Sequence, residues 1–250
     1  EGQGELGGPP QLAQPDDRQA RPSPPAPPEG GGAAPGPGRC VDPDPQVVAT
    51  CLNPVGAIAV LPAGDEALVG ERTTGRVLRV KKGSAPQLVA TVPVDPATGL
   101  TGLVLSPGYA EDRLLYAYAG TPTDARVLRI APGEAPKPIL AGIPRAAGGA
   151  LTVSPDGNLL VATAQSGPVT PTSLAGKILR IDTLGRPAPG NPDPRSPVYS
   201  SGLRAPGGLC IDASGKTVWA TDRTGSRDVL YQVRPGRLGA PAWTWPDEPG

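Results

Sequence analysis

Histidine, phenylalanine and methionine are absent from this 250-residue chain, and aromatic residues make up only 3% of it. Without histidine there is no imidazole to act as a general base near neutral pH, and none to ligate a metal. The three cysteines include no zinc-type pair, and no DxDxDG calcium loop, phosphate-binding loop or nucleophile elbow occurs. No apolar run approaches the ~18–20 residues with which a helix crosses a bilayer. Lys+Arg and Asp+Glu both total 23, so nothing in the charge balance favours nucleic acid or an anionic membrane surface as partner. A core without Phe or Met must be built from Val, Leu, Ile and Ala, which suits closely stacked sheets. With 35 Gly and 36 Pro the chain is rich in turns, and long helices are not expected.

What the chain does contain is a phrase that returns four times at a spacing of about fifty residues. It reads GRVLRV at 75–80, ARVLRI at 125–130, GKILRI at 176–181 and, more loosely, DVLYQV at 228–233. Before each copy stand a strand-like run ending in a Pro/Gly/Asp turn and a second short apolar run. The first runs are AIAVLPAG from Ala57, GLVLSPG from Gly102, ALTVSPDG from Ala150 and GLCIDASG from Gly208. The second are ALVGE from Ala67, LLYAYAG from Leu114, LLVATA from Leu159 and TVWATD from Thr217. Units of this size and pattern predict an all-β protein, a β-propeller of four-stranded blades. Such a sheet cannot bury both faces alone and must stack on its neighbours.

The blades are expected near residues 54–93, 100–142, 148–200 and 206–250. Alternation places Leu151 and Val153 on one face, with Thr152 and Ser154 on the other. The segments 155–158 and 213–216 supply the positive-φ positions of tight hairpins. A strand at 47–51 is expected to precede the first blade and complete another by closure. The fourth blade looks unfinished, with its last strand expected past Gly250, so about four blades of a larger ring are visible.

Residues 1–39 are nearly half Gly and Pro with no apolar periodicity, and are read as a disordered tether ahead of a propeller domain at 40–250. The chain opens on Glu1 rather than Met, as a processed product would. Cys40 and Cys51 flank a short Pro/Asp-rich segment. A disulfide between them would fit an extracytoplasmic compartment, and two unrelated thiols are the alternative. Cys210, inside GLCID, is expected to be a small buried side chain, with a partner beyond the chain as the alternative.

Taken together, these segments resemble the soluble quinoprotein glucose/sorbosone (aldose sugar) dehydrogenases over about residues 54–246. The most specific stretches are SLAGKILRIDT from Ser173, SPVYSSGLRAPGGLCID from Ser196 and VWATD from Val218. LVGERTTGRVLRV from Leu68, GLTGLVLSPGYA from Gly99, GGALTVSPDG from Gly148 and WTWP from Trp243 follow in the right order. The resemblance implies a six-bladed propeller that uses pyrroloquinoline quinone (PQQ) and calcium. The tether and composition look most like an actinobacterial lipoprotein, so attachment to a membrane is expected only through a lipid anchor upstream, or else secretion.

The departures from that pattern bear on function. The HxGG motif that carries the family's catalytic histidine is matched by AAGG, which puts Ala146 where the base belongs. GHRNPQG is matched by GLRAPGG at 202–208: Arg204 is kept, while Ala205 and Gly207 replace the Asn and Gln that hydrogen-bond the quinone. Ala97 stands for a Gln or Glu, Gln165 for an acidic residue, and Asp222-Arg-Thr-Gly225 for an acidic-His-Gly stretch. No catalytic residue and no metal ligand is therefore assigned, and neither PQQ nor calcium is expected. The expected role is non-catalytic binding of an envelope protein or glycan. The alternatives are a PQQ-dependent sugar dehydrogenase with a reorganised site and a purely architectural spacer. The remaining ligand-binding candidates are Arg72, Arg204, Asp222 and Arg223. The arginines could hold an anion in the channel or bridge blades through backbone carbonyls. Asp222 and Asp228 could pair as carboxylates or tie turns together.

Overall fold

A computed structural model describes residues 40–245 apart from position 213, and four sheets of a β-propeller make up this part. The tether expected at 1–39 lies outside the described residues. Blade 1 comprises β1 (Val55–Val60), β2 (Glu66–Glu71), β3 (Arg76–Lys81) and β4 (Gln87–Thr91). Blade 2 comprises β5 (Leu100–Leu105), the single-turn helix α1 (Tyr109–Asp112), β6 (Leu115–Gly120), β7 (Ala125–Ile130) and β8 (Lys137–Ile143). Blade 3 comprises β9 (Ala150–Val153), β10 (Leu159–Ala162), β11 (Lys177–Ile181) and β12 (Val198–Ser201). Blade 4 comprises β13 (Ala205–Ile211), β14 (Val218–Thr224), β15 (Arg227–Gln232) and, after the two-residue β16 (Gly236–Arg237), β17 (Trp243–Trp245). Within each blade the four strands are antiparallel; β16 leaves blade 4 and pairs parallel with β12.

The apolar runs that repeat in sequence are the middle strands, buried on both faces. Every residue of β6 and of β10 is buried. Between blades 1 and 2 lie Leu68, Val77, Leu100, Leu103, Leu115 and Leu128. Tyr118, Val127, Leu151, Leu159, Val161 and Leu179 fill the next interface, and Leu160, Ile178, Leu203 and Ala220 the third. Each such side chain contributes roughly 1.5–3 kcal/mol relative to exposure, so stacking rather than pairing within one sheet holds the body together.

Gly75 shows why the repeated phrase can demand glycine at its first position. Its φ is +68°, and a Cβ there would lie 2.0 Å from the carbonyl oxygen of Val92, the chain that runs past it after β4. The hairpins at Gly157 (φ +80°) and Gly215 (φ +72°) have the positive φ that their sequences predict.

Three expectations are corrected. Residues 47–51 form no strand: Ala49 and Leu52 pack as an irregular segment on Ala67, Val69, Leu78 and Val80, the face of blade 1 turned away from blade 2. The fourth strand of blade 4 lies inside the chain, because β17 returns to pair with β15 after only a short excursion. Cys210 is a free, exposed thiol, since alternation along β13 turns Leu209 toward blade 3 and Cys210 to the opposite face.

Cys40 and Cys51 are joined, with their Cα atoms 5.4 Å apart. The bridge pins the irregular segment over blade 1. Replacing both cysteines by serine is expected to lower stability by about 2–3 kcal/mol through the freed loop of about a dozen residues. Denaturant unfolding with and without reductant reads this, and equal midpoints for the oxidised and reduced protein would refute it.

Candidate functional site

The inner strands β1, β5, β9 and β13 run in the same sense around the stack, so their starts gather at one end with the ends of the second strands. Most of the positions singled out in the sequence fall there. The Gly149 N–H donates to the Pro206 carbonyl at 2.9 Å, which lays the loop carrying Ala146 directly against the start of β13. A Cβ on Gly149 (φ +126°) would sit 2.3 Å from the Tyr118 ring, so only glycine allows this approach. The Gln165 N–H donates to the Arg204 carbonyl at 2.7 Å. Ala205 faces Arg223 across the ladder and Pro206 faces Asp222, with a bulge at Gly207. Ala146, Gln165, Arg204, Ala205, Gly207, Asp222 and Arg223 are thus one neighbourhood, reached through blades 3 and 4.

Ala97 and Arg72 belong to a second group at the same end, on blades 1 and 2. The Arg72 carbonyl accepts the Leu100 N–H, and the Ala97 N–H is held by Asp95. The two groups are tied by Arg145, which bonds Asp95 at 2.8 Å and the Pro122 carbonyl at 2.7 Å. This arginine does what was considered for Arg72, Arg204 and Arg223: it bridges loops through a carbonyl and a carboxylate. Its neighbour Ala146 marked the loop in sequence, but nothing marked Arg145 itself, because its partners lie 23 and 50 residues away.

Asp222 is 2% exposed and works as a strut. Its Oδ1 accepts the Ala205 N–H at 2.7 Å, and its Oδ2 accepts the Arg204 N–H at 2.9 Å. Burial raises its pKa above the ordinary 3.8, more than these N–H groups and the Arg204 charge lower it. Asp228 does not join it as a carboxylate pair. Neighbouring strand residues alternate, so Asp228 turns to the other face and takes Arg223 in a bidentate bond at 2.8 and 2.9 Å. The guanidinium groups of Arg72 and Arg204 make no hydrogen bond or ion pair among the described residues.

A cleft of about 470 Å³ opens here, lined by Ala205, Gly207, Thr221, Asp222, Arg223 and Trp245 among others. Its size suits a small ligand. Its two carboxylates, Asp222 and Asp228, are already committed to backbone N–H groups and to Arg223. Arg204, beside it, is a cation whose side chain makes no hydrogen bond or ion pair among the described residues, and its charge lowers the pKa of Asp222. Sequence reading also passed over Lys177, inside the GKILRI copy. It is 3% exposed, shares the face of Leu179 toward blade 2, and burial pushes its pKa down.

This chain belongs to the glucose/sorbosone dehydrogenase family, whose sequence model matches residues 52–245. Among solved structures it is similar to the PQQ-bound aldose sugar dehydrogenase of Streptomyces coelicolor, with 37% identity and a TM-score of 0.69. That match covers 76% of this chain and 63% of the Streptomyces chain, less than two thirds of its length. An oxidoreductase (glucose dehydrogenase) of Thermus thermophilus aligns at 29% identity and a TM-score of 0.70, over 78% of this chain and 71% of that one. The soluble aldose sugar dehydrogenase of Escherichia coli shares the fold at 20% identity and a TM-score of 0.62, over 74% of this chain and 61% of that one. No curated protein matches the chain.

Proposed function

We propose that this family member has kept the propeller and lost the chemistry, and that it serves as a non-catalytic binding or scaffold body outside the cytoplasm. The observation that carries this reading is Ala146. Its loop lies against β13, where the family's motif places its histidine, and no described residue in the neighbourhood offers a base in its stead. A general base supplies typically 10²–10⁴-fold, and alanine supplies none of it. Asp222 is the carboxylate of this group, but both of its oxygens already accept backbone N–H groups. Gln165 is neutral.

PQQ and calcium, which the family implies, do not fit the side chains present. A quinone cradle needs convergent donors, and Ala97, Ala205 and Gly207 present none. Arg204 remains as a point of attraction for an anion, which gives no orientation by itself. The Cys40–Cys51 bridge supports an oxidising compartment. The composition of the segment ahead of Cys40 supports attachment through an upstream lipid anchor, or secretion. The partner class proposed is an envelope protein or glycan.

Incubation with PQQ and calcium followed by dye reduction, with glucose and a panel of aldoses, is expected to give no turnover above the cofactor-only blank. Turnover well above that blank would overturn the proposal and establish the alternative, a sugar dehydrogenase with a reorganised site.

A further inference from the structure

At the end of blades 1 and 2 opposite to the site just described, two clefts of about 370 and 440 Å³ share Arg79, Tyr109 and Arg113. Leu61, Leu115 and Ile130 form an apolar floor, and Val89, 43% exposed, stands at the rim. The charges around them are unequally matched. Arg79 is paired with Glu66, and Lys81 with Asp65 and Glu66 at 3.1 and 3.0 Å. Asp112, next to Arg113, is turned to Ser106 at 2.6 Å and to the Leu114 N–H at 2.8 Å. Arg113 is left without a hydrogen bond or ion pair from its side chain among the described residues.

Its guanidinium carbon lies 5.5 Å from the centre of the Tyr109 ring. A cation over a ring at this distance is attracted by the ring face without using its N–H donors, which leaves them for a ligand. The backbone at Arg113 adds a second observation. It caps α1 in the left-handed region (φ +56°, ψ +18°), a position where glycine or asparagine is the usual choice. An arginine held there against preference, over a ring and with no ion pair among the described residues, points to a use for its side chain.

We propose that this cleft binds a small amphipathic monocarboxylate, with the carboxylate forked on Arg113 and an apolar body over Leu61, Leu115 and Ile130. One guanidinium without an ion pair among the described residues matches one carboxylate in planar geometry. A phosphate dianion would need a second free cation, and Arg79, the other cation lining these clefts, is taken up by Glu66. The volume accommodates a body of roughly ten to fifteen non-hydrogen atoms. The site is independent of the family's sugar end and of the function proposed there.

Octanoate is a suitable probe for calorimetric titration of the full chain, with octanamide as the neutral analogue. Octanoate is expected to saturate, and octanamide to bind at least about tenfold more weakly. Arg113→Gln should weaken octanoate by a similar factor without lowering the melting temperature. Arg113→Asn, which suits the left-handed backbone, should repeat the loss. Arg195→Gln, which removes an exposed cation 92% open to solvent elsewhere, should leave binding unchanged. Equal affinity for octanoate and octanamide, undiminished octanoate binding by Arg113→Gln, or no saturation below about 10 mM would overturn the proposal. Inorganic phosphate displacing octanoate at a lower concentration than octanoate itself needs would overturn the carboxylate assignment.

Discussion

Glu71→Ala is expected to lower stability by about 2–3 kcal/mol, the cost of losing several charge-assisted hydrogen bonds to one buried carboxylate. Glu71 is 0% exposed and receives the N–H of Asn53 at 2.9 Å, its Nδ2 at 3.1 Å, the Thr74 hydroxyl and, at 3.6 Å, the Arg76 guanidinium. It ties the chain ahead of β1 to the turn that leads into β3. Alanine removes the acceptor that holds these donors together. Asn53 and Thr74 are exposed and Arg76 is 42% open, so they turn to water, and the loss is that of the charge-assisted bonds and the order they impose. Guanidinium denaturation followed by tryptophan fluorescence measures the loss, and a change below about 0.5 kcal/mol would sink the account.

The pH dependence follows from the same contacts. Burial pushes the Glu71 pKa up, but the bonds from Thr74 and Asn53 and the Arg76 charge outweigh it, so the group sits below its ordinary 4.5. A carboxyl with a depressed folded pKa contributes stability that is complete above 4.5 and is lost as pH falls through the folded value. Glu71→Gln should therefore flatten the stability profile in that acidic window.

Asp222→Ala is expected to cost about 3 kcal/mol, since two backbone N–H groups at the start of β13 lose their acceptor. The effect should be local as well as global. Arg204 and Ala205 anchor the strand whose neighbouring carbonyls receive the Gly149 and Gln165 N–H groups, so hydrogen exchange at those amides should accelerate most. Asp222→Asn keeps an acceptor and removes a buried charge, and most of the stability should return. The linkage has the opposite sign from that of Glu71. With its pKa raised, the folded protein binds the extra proton, so the Asp222 contribution declines as pH rises from 3.8 through the folded value. Exchange rates at Arg204 and Ala205 that match the wild type in Asp222→Ala would refute the strut.

Glu71 and Asp222 occupy corresponding places in blades 1 and 4, at or near the end of the second strand. Both accept an N–H from the chain leading into, or beginning, the inner strand. In sequence Asp222 looked like a candidate ligand or half of a carboxylate pair. Its residue type was legible, but its role was not, because the two N–H groups it serves lie 17 and 18 residues earlier. The same holds for Arg223, whose partner is only five residues away yet depends on the β14–β15 hairpin closing with Arg223 opposite Asp228.

Local pattern by itself determined the blades. Apolar runs of period two, turn glycines and a fifty-residue repeat specify strands and hairpins wherever the chain lies, because they act between near neighbours. The missing histidine and the alanines and glycine at the matched positions were equally plain, since an absent side chain needs no geometry to be absent. Only the tertiary structure decided which residues share a surface. It placed Gly149, three residues after Ala146, against Pro206, turned Cys210 outward, left residues 47–51 as an irregular cover rather than a strand, and brought β17 back to complete blade 4. It also left Arg113 over Tyr109 with no ion pair among the described residues, while Arg79 and Lys81 found carboxylates. Each of these outcomes depends on how blades stack and on which face of a sheet stays uncovered, and contacts between residues far apart in the chain carry no local periodicity to betray them.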